Sequence, residues 1–360
     1  MKKKLLIFHT CIAPYRIDLF NAFNALFDMR FCFFLHGLYP KIEKQFDFSP
    51  TFIDKKKGRF YWIKGIISQL RLFEPDVVLC SEFNVVTLIV VLFKFLTLKK
   101  YRIISIVDDS YDMVVMGKSF SWKHIWGSRI LMPFIDNVIN VEPKVTEYYR
   151  QKFGKGVYMP IIVDENKARA RLQRILPISQ EYVKKYNLEG KKVLLYVGRL
   201  VDVKNISFAI NAFFKANLKN SIFVIVGDGP EKEKLFSLVN GRKNVIFTGR
   251  LEGNALYAWY NIAQIFTLQS TLEPFGAVTN EALLGGCYCL VSNLAGSNCL
   301  IKENVNGNIV DPYDEMSYVN LLRNAFNKKK PIVLPIVLRD DGMQDKFADC
   351  FKNMIAGVMK

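Results

Sequence analysis

The sequence predicts an α/β fold in which two domains each carry a parallel sheet with helices on its faces. Short apolar runs alternate with amphipathic stretches along the chain, as expected for strand, crossover helix and next strand. The 360 residues suffice for two ordinary α/β domains, and a hydrophobic content of 51% suffices to fill a core in each. The alternation is interrupted around residues 157–164, so we place the crossover between the domains there.

Apolar runs in the first half predict the strands of the first sheet: Lys4–Phe8, Phe31–Leu35, Val77–Cys80, Ile103–Val107 and Val138–Val141. The N-terminal lysines resemble those of a signal peptide, but only four apolar residues follow and no small-residue cleavage site is present. We therefore expect a strand there. Between the first two strands, one apolar face at helical spacing predicts a helix with Leu19, Phe20, Phe23 and Leu26 on its buried side.

Polar residues follow three of these strands, at His9–Arg16, Ser81–Asn84 and Asp108–Asp112. Open parallel sheets bind their ligands at the carboxyl ends of the strands, so we expect these segments to meet in a binding site. A helix-capping role for either aspartate at 108 and 109 is an equally good interpretation. Among the histidines at positions 9, 36 and 124, His9 is favoured because it ends the first strand.

The net charge is +17, shared as +8 over residues 1–165 (24 basic, 16 acidic) and +9 over 166–360 (26 basic, 17 acidic). Such a surface suits nucleic acid, an anionic membrane or phosphorylated substrates. No compact nucleic-acid module is recognisable, so we expect no nucleic-acid partner. The stretch Lys55–Lys64 interleaves five cations with three aromatic residues. It is either a solvated basic loop or a membrane-docking segment, and we favour docking.

The longest apolar run, Val85–Phe93, ends at Lys94 and is well short of the roughly 20 residues that a membrane span requires. We therefore expect no transmembrane segment. The seven cysteines include no C-x-x-C pair and no zinc-site spacing. We expect reduced thiols, a cytoplasmic location and no metal site.

The second half repeats the strand and helix alternation. A basic helix, Glu165–Arg174, follows the crossover, and a last amphipathic helix is predicted over Asp345–Met359. The predicted division is 1–164 for the first domain, 165–340 for the second, and 341–360 for the segment carrying the last helix.

Four motifs in the second half place charged residues beside glycine turns. In the first, a strand and a glycine turn are followed by Arg199 and Lys204 ahead of a helix. Two further strands end in glycine turns, at residues 227–230 and 249–250. The fourth, Glu273–Glu281, sets two glutamates eight residues apart around a Pro-Phe-Gly turn that opens a helix. The free amides of such a helix start attract anions.

In their order and spacing these motifs resemble the donor-binding half of the family-four retaining glycosyltransferases, the group 1 glycosyl transferases. The resemblance is good over residues 190–315. It implies the GT-B fold, with two Rossmann-like domains facing a cleft and a C-terminal helix returning to the first domain. It also implies retaining, metal-independent transfer from a UDP-sugar or GDP-sugar to a glycan acceptor. Many family members use lipid-linked acceptors, which implies a bacterial surface-polysaccharide enzyme at the inner face of the plasma membrane.

The resemblance assigns roles to individual residues. Arg199 and Lys204 would contact the diphosphate and stabilise its growing charge, and with Glu273 they form the predicted catalytic set. Glu281 would accept hydrogen bonds from the ribose. Glu273 would bind hydroxyls of the donor sugar or stabilise charge on its ring. The predicted donor site comprises Arg199, Lys204, Gly227, Arg250, Leu251, Phe275, Gly276, Ala277 and Glu281. No metal or other cofactor is expected.

The sequence departs from the family pattern in both halves. Residues 11–16 replace a glycine-rich loop, Asp108 and Asp109 stand where relatives often have a histidine, and Cys299 stands where they often have a glutamate. These departures leave the donor sugar open. The acceptor-side candidates are His9, Tyr15, Arg16, Asp108 and Asp109.

Other functions are compatible with the same motifs. A dinucleotide-dependent dehydrogenase is disfavoured because the G-x-G at residues 227–229 is followed by proline and lacks the third glycine. A GT-B-type nucleotide-sugar epimerase or phosphorylase, and an inactive sugar-nucleotide-binding relative, remain as alternatives.

Overall fold

The protein forms two compact units in a computed structural model that describes residues 1–35, 45–54, 58–116 and 122–359. Unit 1 comprises Met1–Val163 together with Phe347–Lys360, and unit 2 comprises Asp164–Lys346. The chain therefore leaves unit 1 after Val163, forms the whole of unit 2, and completes unit 1 with its last helix.

Unit 1 is built on a seven-stranded sheet in the described part of the chain. Its strands are β1 (Lys4–His9), β2 (Asp28–Phe33), β3 (Thr51–Phe52), β4 (Val77–Ser81), β5 (Arg102–Val107), β6 (Asn137–Asn140) and β7 (Val157–Tyr158). They lie in the order β3-β2-β1-β4-β5-β6-β7, with every pair parallel. The order reverses between β1 and β4, which is where open parallel sheets bind ligands.

The helices of unit 1 cover both faces of this sheet. They are α1 (Ile17–Leu26), α2 (Arg59–Phe73), α3 (Val85–Thr97), α4 (Tyr111–Met116), α5 (Trp122–Leu131), α6 (Pro143–Phe153) and α14 (Phe347–Met359). Because strand side chains alternate, Leu6 and Phe8 of β1 enter the core with α2 and α3. Leu5 lies on the opposite face, beside Val358 of α14.

Unit 2 repeats the arrangement with six parallel strands. They are β8 (Lys192–Val197), β9 (Ser221–Val226), β10 (Val245–Gly249), β11 (Ile265–Leu268), β12 (Tyr288–Ser292) and β13 (Gly307–Val310). The order is β10-β9-β8-β11-β12-β13, with the reversal between β8 and β11. The helices are α7 (Glu165–Arg174), α8 (Leu176–Lys185), α9 (Ile206–Ala216), α10 (Lys232–Val239), α11 (Gly253–Ile262), α12 (Val278–Leu284) and α13 (Glu315–Lys328).

Several predicted element details are wrong. Strand β2 begins at Asp28 instead of Phe31 and ends at Phe33. Leu26, predicted on the buried face of α1, is exposed because it lies at the end of the helix. In the basic aromatic stretch, Lys55, Lys56 and Lys57 lie outside the described residues, while Trp62 is buried in the core against Phe34 with ring centroids 5.7 Å apart. Only two of the three aromatic residues in the stretch, Phe60 and Tyr61, are exposed.

No helix in the described part of the chain is long and apolar enough to cross a membrane.

Candidate functional site

Three neighbouring strands of unit 2 end in turns that pack directly on one another. The Gly198 amide donates to the Val226 carbonyl at 3.0 Å, and the Gly227 amide donates to the Gly249 carbonyl at 2.9 Å. Gly227 has a φ of +156°, and a Cβ there would lie 1.8 Å from the Gly198 carbonyl oxygen. The glycine is therefore required by the close approach of the two backbones.

The predicted cation Lys204 and the predicted carboxylate Glu273 form an ion pair across the strand-order reversal of unit 2. Lys204 ends a short 3₁₀ turn, Asp202–Lys204, after β8, and Glu273 lies in the loop after β11. The two side chains retain only 14% and 13% of their accessible surface. Because little water screens this pair, each charge strongly controls the position of the other.

The Glu273 segment is held from the other side by the loop after β12. The Gly296 amide donates to the Glu273 carbonyl at 3.1 Å, and the Ser297 amide donates to the Phe275 carbonyl at 2.7 Å. Gly276 has a φ of +91°, which a residue with a side chain rarely adopts. This backbone fixes the direction in which the chain enters α12.

Glu281 lies in the first turn of α12 and is held by two hydroxyls of α11. Tyr257 donates to its Oε1 at 3.0 Å, and Tyr260 donates to its Oε2 at 2.8 Å. Burial raises the pKa of Glu281, while the two hydroxyls and the charge of Arg171 act in the opposite direction. Each carboxylate oxygen has a second lone pair, so Glu281 can still accept hydrogen bonds from a ligand.

The remaining predicted donor-site residues occupy the same strand ends or the start of α12. Arg199 is exposed in the turn after β8, and its carbonyl accepts a hydrogen bond from the buried Tyr196 hydroxyl at 2.9 Å. Arg250 is exposed and pairs with Glu252 at 2.7 Å, and Leu251 beside it is half-buried. Phe275 is buried, and the half-buried Gly276 and Ala277 follow it.

In unit 1, the structure brings His9, Arg16 and Asp108 together at the carboxyl ends of β1 and β5. Buried Arg16 forms an ion pair with Asp108. Nδ1 of His9 lies 2.5 Å from the Cys11 carbonyl, which can only accept, so Nδ1 carries the proton. Burial first, and then the charge of Arg16, lower the pKa of His9 to about 4. At neutral pH the ring is uncharged, and its Nε2 is a hydrogen-bond acceptor.

The other two acceptor-side candidates differ in their surroundings. Asp109 is buried and accepts a hydrogen bond from the Tyr149 hydroxyl at 2.8 Å, which favours a structural role for it. Tyr15 is half-buried in the turn before α1. Glu82, in the turn after β4, accepts a hydrogen bond from the Asp108 amide at 3.3 Å and joins this cluster. Of the less favoured histidines, His36 lies outside the described residues, and the side chain of His124 is not described.

Sequence reasoning missed the partners of the predicted residues. The Glu281 contacts join residues 24 and 21 positions apart, and the ion pairs of Lys204 and Arg16 join residues 69 and 92 apart. Nothing local marks Tyr257 or Tyr260 as functional, since both fit an ordinary half-buried helix face. Only the proximity of α11 to α12 makes them ligands of Glu281.

The two clusters have different chemical capacities. The unit 2 cluster, Arg199, Lys204, Glu273 and Glu281, offers cations to an anion and carboxylates to hydroxyl groups. The unit 1 cluster, His9, Arg16, Glu82 and Asp108, offers a neutral imidazole and charged groups to hydroxyl-bearing ligands. Within the ranges that the structure describes, no three His, Cys, Asp or Glu side chains group as a metal site.

Comparison with known proteins relates part of the sequence to one family and the fold to solved structures. Residues 179–332 match the family model described as glycosyl transferases group 1. An uncharacterized glycosyltransferase of Methanocaldococcus jannaschii is 35% identical over 128 residues, which are 34% of this chain and 33% of that protein. An uncharacterized 41.2 kDa protein in the cps region of Klebsiella pneumoniae is 25% identical over 253 residues, 66% of each chain.

A third relative is the Escherichia coli UDP-Gal:alpha-D-GlcNAc-diphosphoundecaprenol alpha-1,3-galactosyltransferase. It is 29% identical over 184 residues, which cover 45% of this chain and 46% of that protein. The matches thus span between a third and two thirds of these relatives' lengths.

The crystal structure of Anabaena HepE in complex with UDP aligns with a TM-score of 0.74 at 15% identity, covering 99% of this chain and 96% of that one. The predicted GT-B fold class is confirmed.

Proposed function

We propose, from the match of residues 179–332 to the family model described as glycosyl transferases group 1, that the protein is a retaining, metal-independent glycosyltransferase. Its donor is a nucleoside-diphosphate sugar, and its acceptor is a glycan attached to a lipid, used in bacterial surface-polysaccharide synthesis. The product sugar keeps the anomeric configuration that it has in the donor.

One observation carries the proposal: the Lys204–Glu273 pair lies at the strand-order reversal, between the packed glycine turns and the start of α12. Cleavage of the donor's anomeric bond puts negative charge on the leaving diphosphate. Lys204, the exposed Arg199 and the nearby backbone amides are suited to stabilise that charge. Glu273 fixes Lys204 before the donor arrives, which reduces the cost of ordering a flexible side chain.

Glu281 supports the identification of a nucleoside as part of the donor. Two tyrosine hydroxyls fix the carboxylate while leaving acceptor capacity on both oxygens. A ribose presents two neighbouring hydroxyls, which such a carboxylate can bind together. The donors to test first are UDP-sugars, because HepE binds UDP and the E. coli relative is named for UDP-galactose. GDP-sugars are the second class.

The acceptor and the place of action are supported by two relatives and by the net charge. The E. coli relative is named for a diphosphoundecaprenol acceptor, and the Klebsiella relative lies in a cps region. The net charge of +17 suits an anionic surface as well as a phosphorylated acceptor. We therefore propose a cytoplasmic enzyme that contacts the inner face of the plasma membrane peripherally.

The direct test measures release of nucleoside diphosphate from a panel of UDP- and GDP-sugars, with and without lipid-diphosphate-linked glycans. We expect release that depends on the acceptor, and a product whose anomeric configuration by NMR equals that of the donor. Activity should survive a chelator. An inverted product or loss of turnover with the chelator would contradict the proposed chemistry.

The same assay separates the alternatives. An epimerase would convert the donor without an acceptor, and a phosphorylase would require inorganic phosphate. An inactive relative would bind the nucleotide, seen as a rise in melting temperature, and release nothing.

A further inference from the structure

We infer that unit 1 docks on an anionic lipid bilayer through an apolar surface on helices α3 and α5, distinct from the basic stretch at residues 55–64. The α3–α5 face consists of Leu92, Phe95, Leu96, Leu98, Trp126 and Ile130, each with 50–85% of its surface exposed. The inference rests on the proposed lipid-linked acceptor and names the surface that would bring the protein to it.

The two helices that carry the face pack on each other. Gly127 of α5 packs so closely on the turn before α3 that a Cβ there would lie 2.6 Å from the Phe83 carbonyl oxygen. At the other end, the rings of Phe95 and Phe134 meet edge to face, with centroids 5.4 Å apart. The two helices therefore lie side by side. Their exposed apolar side chains therefore lie on adjacent helices instead of being scattered over the unit.

The charges around this face select its partner. Residues 85–102 and 122–135 contain six Lys or Arg and no Asp or Glu. Two acidic groups next to these segments are paired with their lysines, Asp136 with Lys94 at 3.6 Å and Glu74 with Lys99 at 2.7 Å. The guanidinium of Arg129 lies 6.0 Å from the ring centroid of Trp126. Aromatic and aliphatic side chains bordered by cations fit the headgroup region of an anionic membrane.

The same charges disfavour a second copy of this chain as the occupant. A symmetric dimer through the face would bring the cations of one copy against those of the other, which costs free energy. Acidic phospholipids instead supply the opposite charge along the whole rim of the patch.

The location of the face also suits the proposed acceptor. Helix α3 begins at Val85, directly after the turn in which Glu82 contacts the Asp108 amide. Of the face's residues, Trp126 comes nearest to this turn, because its neighbour Gly127 packs on the Phe83 carbonyl, whereas Leu92 lies about 10 Å further along α3. A glycan joined to a membrane lipid could reach that cluster while its lipid stays in the bilayer.

The test is co-sedimentation of the full-length protein with vesicles of phosphatidylcholine alone, or mixed with phosphatidylglycerol. The wild type should bind the mixed vesicles at low salt and be partly released at high salt. Leu92→Glu/Leu96→Glu should lower the partition coefficient at least about tenfold, because it places charge on the inserted surface. The matched control is Val333→Glu/Val337→Glu in unit 2, where the parent side chains are 70% and 68% exposed; it should bind as the wild type does.

Two controls show that the variants are folded and keep this inference separate from the proposed function. The melting temperature and the affinity for UDP, both measured without lipid, should be equal in the wild type and the two double variants. Vesicle binding is measured without any acceptor, so absence of transferase activity would overturn the proposed function and leave this inference standing.

Three outcomes would overturn the inference. The first is that the wild type fails to bind mixed vesicles at low salt. The second is that binding does not respond to Leu92→Glu/Leu96→Glu but is lost when Lys55, Lys56 and Lys57 are neutralised, which would place docking on that stretch instead. The third is that ultracentrifugation shows a dimer that Leu92→Glu/Leu96→Glu dissociates, which would identify a second copy as the occupant.

Discussion

At the scale of single residues, one member of the ion pair in the unit 2 site stabilises the diphosphate charge and the other fixes its partner's position. Lys204 is placed to meet the diphosphate, and Glu273 is placed to hold Lys204 before the ligand arrives. Arg199, which is exposed, adds a cation at the rim of the same site.

Replacing Lys204 by alanine should lower kcat/KM. The loss should correspond to about 2–4 kcal/mol of transition-state stabilisation, which is typical of removing a preorganised charge donor. Arg199→Ala should act in the same direction. The matched control is Lys215→Ala, because Lys215 also pairs with a glutamate, Glu315, but lies on α9 away from the strand ends. Steady-state kinetics should show the control unchanged. Equal losses at all three positions would mean that the effect is general electrostatics and not the site.

The two tyrosines of α11 should tune the pH dependence of donor binding. The Tyr260 hydroxyl lowers the pKa of Glu281, so Tyr260→Phe should raise that pKa further. Ribose hydroxyls bind best to the ionised carboxylate, so the pH midpoint above which UDP binds tightly should move upward, with a loss of about 1 kcal/mol at neutral pH. Calorimetric titrations across pH measure this.

Tyr288→Phe is the control for that variant, because the Tyr288 hydroxyl donates to Asn308 at 2.5 Å elsewhere in unit 2. If both phenylalanine variants moved the midpoint equally, the hydroxyl of Tyr260 would not act through Glu281.

His9 should make the stability of unit 1 depend on pH. Its pKa falls from 6.5 in the unfolded chain to about 4 in the fold, so the native state binds fewer protons. The stabilisation is present above pH 6.5 and is lost as pH falls toward 4, up to about 3 kcal/mol. Urea unfolding of wild type and His9→Gln at several pH values measures it. The variant should show the shallower slope, and identical slopes would contradict the assignment.

At the scale of elements, the glycine turns at the ends of β8, β9 and β10 pack on one another beside the unit 2 cluster. Gly227→Ala should destabilise the protein by about 1–3 kcal/mol, because its Cβ would meet the Gly198 carbonyl oxygen. Gly241→Ala is the control: Gly241 also has positive φ, +71°, but a Cβ there meets nothing within 4 Å. Urea denaturation should show the larger loss for Gly227→Ala. Equal losses would attribute the cost to backbone strain alone.

Elements were easier to predict from the sequence than their contacts. Helix α7 matches the predicted bounds Glu165–Arg174, because periodicity and turn residues are local signals. Trp62 shows the limit: its neighbours in sequence are basic and aromatic, yet it fills the core, since burial depends on which helix face meets the sheet.

The residues of the candidate site could be predicted from the sequence, but the contacts between their side chains could not. The family motifs indicated Lys204, Glu273 and Glu281, but the ion pair and the tyrosine contacts depend on how distant strands pack. In unit 1 the strand-end rule indicated His9 and Asp108, whereas the joining role of Glu82 required the structure.

At the scale of the whole molecule, unit 1 depends on the helix that follows unit 2. Met354 of α14 is fully buried, and the Asn137 side chain donates to the Gly357 carbonyl at 3.1 Å. Met354→Ala should cost about 2–5 kcal/mol. Hydrogen exchange should show the loss in peptides from β6 and β7, with β11 and β12 still protected.

Met316→Ala, at an exposed methionine of α13, is the control and should leave exchange unchanged. Loss of protection spread evenly over both units after Met354→Ala would contradict independent contributions of the two cores.

The discontinuity of unit 1 sets an order of events during synthesis. Residues 164–346 are made before residues 347–359, so the first part of unit 1 waits for the whole of unit 2 before α14 can join it. Until then, the face of the first sheet that carries Leu5, Val77 and Ile104 has no α14 against it. A nascent chain at that stage carries an apolar surface of the kind that chaperones bind, and unit 1 can close only once α14 has left the ribosome.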